Sequence, residues 1–271
     1  MYEQWLQLLL HNATQPDLFR NAISSMAFYA DILGPAAQVA NILSMGAVTD
    51  SDDAEKAFLG AGLRQMAKAA AISDQEIETA ADEAAELQVV AQSGVVGRTL
   101  VGALAALEHR IPSAGILGVR VLKEAYVYLT QPATQNAVDA RVKAELTAGF
   151  ASGDPVIVIS HSLGTVIAFR LLRELRTSEA PLLITMGSPL TIAAVKNRVG
   201  LPTGRPANIK RWANYYDKGD VVALGQGLVA SNFGPGIDND DDVNNQTANA
   251  HSIDGYLNHS HIIRLLEQTL A

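Results

Sequence analysis

The stretch Pro155-Val-Ile-Val-Ile-Ser-His-Ser-Leu-Gly-Thr-Val-Ile-Ala-Phe169 constrains this chain more than any other. An apolar, β-branched run ends in Ser160-His-Ser162-Leu-Gly164. A helical apolar pattern follows at once at Val166, Ile167, Phe169, Leu171, Leu172 and Leu175. Buried strand, sharp turn and amphipathic helix are the context of a nucleophile elbow, with Ser162 at its tip. The elbow strains the serine backbone, so small residues are wanted on both sides. Gly164 is one. The other, usually glycine, is Ser160, which is small but does not favour positive φ. The N-terminal N–H groups of the following helix point back at the turn and favour a developing oxyanion.

With 271 residues, 48% of them hydrophobic, the chain can bury the core of one α/β domain and carry an inserted cap. A net charge of −8 gives no electrostatic case for nucleic acid or an anionic membrane as partner. The absence of cysteine excludes disulfides and thiolate catalysis. Met1–Trp5 lacks the basic and apolar regions of a signal peptide. No stretch approaches the ~20 apolar residues of a spanning helix. A cytoplasmic protein is the expectation.

Residues 2–10 read as a short helix closed by Asn12 and Pro16, and residues 22–30 as a strand. From 36 to 110 alanine dominates and strand signals vanish. Helices are expected at 53–71, 73–91 and 97–109, the second opened by a Ser73…Glu76 capping box. This region is read as an inserted helical cap over the site rather than ordinary packing around the sheet. Helices follow at 119–129 and 133–150. Beyond the elbow, strands are expected at 180–185 and 209–216, a Gly/Asn/Asp-rich loop at 232–247, and a terminal helix from His259. Strands alternating with helices imply a mostly parallel sheet, with ligands at the strands' C-terminal ends.

A serine hydroxyl needs a general base, imidazole suits by pKa, and an ionised acid must orient the ring. On an elbow of this kind the acid and then the histidine follow the serine in the chain. Two acids compete at a strand end. Asp217 could open the Asp-Lys-Gly turn, whereas Asp220 is presented beyond it and is the favoured acid. Of the downstream histidines, His251 follows a long loop and can swing over the elbow. His259 and His261 flank a helix start. As His-x-His they could be half of a metal site, but no second pair is evident, and no metal or other cofactor is expected. His161 occupies a variable elbow position and should not reach the serine oxygen productively. Asp238-Asn-Asp-Asp-Asp242 fails calcium-loop spacing and reads as a solvated acidic loop. Gly187-Ser188-Pro189 reads as a strand-end turn beside the pocket. The Leu163 N–H is one expected oxyanion donor. No early His-Gly marks a second.

Four segments together resemble the bacterial lipase-like α/β-hydrolases of serine-esterase type: Ser160–Ala168, Ile184–Leu190, Arg211–Ala223 and Ala250–Leu257. The resemblance spans about 120 to 271. It implies an α/β-hydrolase fold over one domain, 1–271. It also implies carboxylic-ester cleavage through an acyl-enzyme, with Ser162 as nucleophile, Asp220 as acid, His251 as base and a small-molecule ester as substrate. Thioesterase or acyltransferase chemistry would use the same triad, and an impaired binding or scaffold protein is the alternative outside enzymes. Chains of this family usually begin with a strand ending in His-Gly, which would lie beside the elbow strand, and that strand is not found here. Residues 22–30, another segment, a preceding piece, or the second chain of a homo-oligomer are the candidates to fill its place.

Overall fold

The computed structural model describes residues 1–36, 52–86, 94–245 and 249–271. Four strands form one all-parallel sheet in the order β1-β2-β3-β4: Ile157–His161, Ala180–Met186, Ile209–Asp217 and Asp238–Val243. Helices flank it on both faces, so the class is α/β. Strands laid down in chain order send each crossover over the same face. After β1 comes α9 (Leu163–Glu174). After β2 comes α10 (Ala193–Val199). The β3–β4 connection buries Leu228 and Phe233 on that same side. The opposite face is left to the chain ends, α1 (Tyr2–Asn12) and α2 (Pro16–Asn21) at one terminus and α11 (Ile253–Leu257) and α12 (Ser260–Leu270) at the other.

Strand alternation divides the core accordingly. Leu182, Ile184 and Met186 face the terminal helices, with Phe19, Tyr256, Ile262 and Leu266 packed on them. Leu183 and Trp212 face the crossover layer, where Phe169, Trp212 and Phe233 meet with ring centroids 5.2 to 6.0 Å apart. Phe169 lies on the face that α9 buries with Val166, Ile167, Leu171 and Leu172.

The crossover-side core also takes α4 (Asp53–Ala69), α5 (Asp74–Glu86), α6 (Gly94–Arg110), α7 (Ala114–Thr130) and α8 (Pro132–Ala151), together with Leu33 of the short helix before them. The Ser73–Glu76 box is formed: Ser73 donates its N–H to Glu76 at 2.7 Å, and the Ser73 hydroxyl accepts the Glu76 N–H at 3.2 Å. Tyr128 of α7, Asp139 of α8 and Arg170 of α9 join through two hydrogen bonds of 2.7 Å at the tyrosine hydroxyl, the one to Asp139 buried. Gln65 of α4 accepts the N–H of Ala193, where α10 begins. The expected cap, 36–110, therefore includes α4 to α6, docked on the segment leaving β2; its residues 37–51 and 87–93 lie outside the described ones.

Two expectations are corrected. Residues 22–29 form no strand. Ile23 is 93% exposed, and Ala30 starts the short helix α3 (Ala30–Ala36). Alternation there had no ladder to join. Residues 238–243, expected to be loop, are β4. This strand lies at the sheet edge, so solvent takes its acidic side chains other than the half-buried Asp240. Its register is held by polar contacts: Asn239 accepts from the Asn214 amide at 3.0 Å and from the Leu228 N–H at 2.8 Å. Among the described residues no strand pairs with the outer side of β1, whose Ile157, Val158 and Ile159 stay only half-buried. No described helix is long and apolar enough to cross a membrane.

Candidate active site

Each strand delivers one part of the site beyond its C-terminal end. Ser162 follows β1 at φ 53°, ψ −130°, a backbone state rare for a non-glycine residue and held because the strand and α9 fix both flanks. Asp220 follows β3, and His251 comes from the loop after β4. His251 Nε2 stands 2.9 Å from Ser162 Oγ, and Nδ1 stands 2.8 Å from Asp220 Oδ2. With Asp220 ionised, Nδ1 carries the ring proton and donates it, leaving the Nε2 lone pair to accept the serine hydroxyl. The side chains of His251 and Asp220 are 5% and 0% exposed, so this polar chain works in a medium of low dielectric.

Asp220 is fully employed. Its Oδ1 accepts the N–H groups of Val222 and Ala223 at 2.9 and 3.3 Å, and its Oδ2 accepts the Tyr256 hydroxyl at 2.8 Å. Burial alone would raise its pKa. The charge and hydrogen bond of His251 and the Tyr256 donor outweigh that and hold it below the ordinary carboxylate range. Tyr256 is pushed well up, first by burial and then by the Asp220 charge, so it stays protonated and donating. Asp217, the competing acid, opens its turn. It accepts from the Gly219 N–H at 2.7 Å and the Asn245 N–H at 2.6 Å, and does not reach the histidine.

Three contributors were not assigned to the site from sequence. Gly187, after β2, has φ 54°, and a Cβ there would stand 2.8 Å from Asp220 Oδ2 and 3.0 Å from the His251 ring. The acid–base pair sits in space that a side chain would fill. Its signal was a glycine at a strand end. His161 lies against His251 with ring centroids 4.6 Å apart, and its Nε2–H donates to the His251 carbonyl at 2.9 Å. It does not touch the serine; it fixes the loop that carries the base. Burial pulls its pKa down to about 3, so it is neutral. Tyr256 is the third, five residues after His251.

Ser188 is occupied elsewhere, 2.7 Å from the Thr165 hydroxyl, which itself donates to the Ser162 carbonyl at 2.8 Å. Leu163 is the first residue of α9, so its N–H lies outside the helical ladder, beside Ser162. Across the elbow, the Tyr29 hydroxyl approaches Gly164 to within 3.1 Å of where a Cβ would be. Two surface hollows of about 410 and 520 Å³ include none of Ser162, Asp220 or His251. Comparison with family models, curated proteins and solved structures gives no significant match.

Proposed function

We propose that this chain is a serine hydrolase of α/β-hydrolase type that cleaves carboxylic esters through an acyl-enzyme. The observation that supports it most is the unbroken Ser162–His251–Asp220 relay, with the serine strained at a strand–helix elbow. In this reading His251 Nε2 takes the Ser162 proton as Oγ attacks the ester carbonyl. Asp220 stabilises the imidazolium that results. The Leu163 N–H, with the α9 N-terminus behind it, receives the oxyanion. His251 then gives the proton to the leaving alcohol, and water repeats the sequence on the acyl-enzyme. The likeness to lipase-like serine esterases in the segments around Ser162, Gly187, Asp220 and His251 agrees with this reading. The α4–α6 layer, docked near the end of β2, is the natural place for a lid that selects the acyl group.

The test is hydrolysis of short p-nitrophenyl esters and labelling by a fluorophosphonate. Wild type turns over and is labelled; Ser162→Ala does neither while keeping its circular dichroism spectrum. If folded wild type neither turns over nor labels, the chain is a binding or scaffold protein on the same fold. The outer side of β1, to which no strand pairs among the described residues, gives that second reading its supporting observation.

A further inference from the structure

Outside the triad, a second cluster brings together side chains that ligate metals. Asp240 on β4, His259 at the N-cap of α12 and His261 in its first turn each offer one ligand atom, and those atoms all lie within 4.8 Å of one another. Asp240 Oδ2 is 2.7 Å from His261 Nδ1, and Oδ1 is 3.8 Å from His259 Nε2. Tetrahedral ligands at zinc distances of about 2.0–2.1 Å stand roughly 3.3 Å apart, between those two separations. The carboxylate is pre-set by the backbone, since Oδ1 also accepts the Asp242 N–H at 3.0 Å. A second observation points to a ligand: His259 Nε2 is buried without a protein hydrogen-bond partner, although it faces a carboxylate. Burying such a nitrogen without a partner is costly. A shared cation would satisfy it.

We propose that Asp240, His259 and His261 bind one divalent transition-metal ion, of the zinc class, with water completing the coordination. Two imidazoles and one carboxylate are a borderline donor set that suits zinc over calcium or magnesium. The positive end of α12 and Arg264 oppose a cation there. Asp242, on the same strand face as Asp240, offsets them, while Asp238 is paired with Arg211 at 3.0 Å. His261 is 37% exposed and gives the ion a way in. In the bound form the His261 ring is neutral, with the Nδ1 lone pair on the ion and the single ring proton on Nε2. The ion would staple the α11–α12 junction to the edge strand β4. Tyr256, which holds Asp220, lies three residues before His259. The role is positional; the triad residues are not ligands.

The test uses untagged, chelator-treated protein titrated with Zn²⁺ against a chromophoric chelator, with Co²⁺ absorption as a second readout. Wild type should bind about one Zn²⁺ per chain, give visible Co²⁺ bands of low-symmetry sites, and gain several degrees in Tm. Ca²⁺ and Mg²⁺ should give no gain. Outer partners of metal ligands already cost about 10–100-fold in affinity when lost. His261→Ala and Asp240→Asn should therefore weaken binding at least that much and abolish the Tm gain. The gain is the difference between loaded and metal-free forms of each variant, so an intrinsic loss of stability does not confound it. No Zn²⁺ binding by wild type, or binding and Tm gain unchanged in both variants, would overturn the proposal.

Discussion

The two sides of β1 are built differently. On the inner side the elbow serine is followed across three paired strands by a glycine, an acid and a base, each fixed by burial and hydrogen bonds. On the outer side no strand pairs with β1 among the described residues, and its apolar side chains remain half-buried. Parallel strands are normally buried on both faces and flanked, so a strand of this composition at an edge is unusual. The contrast teaches that, in the proposed hydrolase, proton transfer and oxyanion binding would depend on different parts of the fold. The relay is complete within the sheet. Among the described residues, no strand beside β1 offers the proposed reaction a second oxyanion donor.

The largest effect should come from breaking the inner side. Asp220→Asn leaves the shape but removes the charge that sets the His251 tautomer, and kcat should fall by about 10⁴. Asp217→Asn changes a turn acceptor and should lower Tm with little change in kcat. The opposite ranking, read from esterase kinetics and thermal melts of both variants, would exchange the two roles. Next comes Gly187→Ala. Its methyl group would displace Asp220 and His251, and its φ of 54° costs a non-glycine residue about 1–2 kcal/mol. A shift near 1 Å in such a pair can cost about 10² in rate. Unchanged kcat in this variant would mean the pair tolerates displacement and the inner side is looser than its contacts indicate.

How much of this could be read from the sequence follows the same division. The elbow, β2 and β3 were legible because buried strands carry apolar runs and end in turn residues. The order of Ser162, Asp220 and His251 was legible because each follows such a run or its loop. β4 was not, because Asp238-Asn-Asp-Asp-Asp-Val243 has no apolar alternation; its register comes from Asn239 meeting Asn214 and Leu228, a tertiary fact. The elbow position says only that His161 does not reach the serine oxygen, and is silent on what the ring does instead. Its partner is a backbone carbonyl 90 residues away, which no local pattern announces. Residues 22–30 carried imperfect alternation, and a strand needs a neighbour as well as a pattern.

A subtler effect concerns His161. Its pKa is held down to about 3 against an ordinary 6.5, so below pH 6.5 the unfolded chain binds a proton that the folded chain does not. Stability from this group is complete above pH 6.5 and is lost as pH falls towards 3, at about 1.4 kcal/mol per pH unit. Asp220 has the opposite charge type. Its depressed pKa adds a loss only below the ordinary carboxylate range near pH 4. The burial-lowered His259 adds a slope of the same sign between pH 6.5 and 4, so urea melts there isolate His161 as the difference between wild type and a variant that lacks only its ring. His161→Gln, which can still donate to the His251 carbonyl, should flatten that slope by about one proton. An unchanged slope would show that His161 is protonated in the fold and not the neutral prop described.

The smallest expected effect tests the outer side. Tyr29 places its hydroxyl against Gly164, and burial raises its pKa first, with Glu124 adding to the shift. It donates to no protein acceptor among the described residues, so Tyr29→Phe should change stability by less than about 0.5 kcal/mol, as for substitutions that break no specific interaction. If the outer side contributes no second donor, kcat should change by less than about threefold and KM should hold. Removing a working oxyanion donor costs about 10²–10³ in kcat. A fall of that size in Tyr29→Phe, with Tm intact, would assign the missing donor to Tyr29. The outer side would then be catalytically furnished by a side chain in place of a strand, and the contrast between the two sides of β1 would hold for the sheet but not for the chemistry.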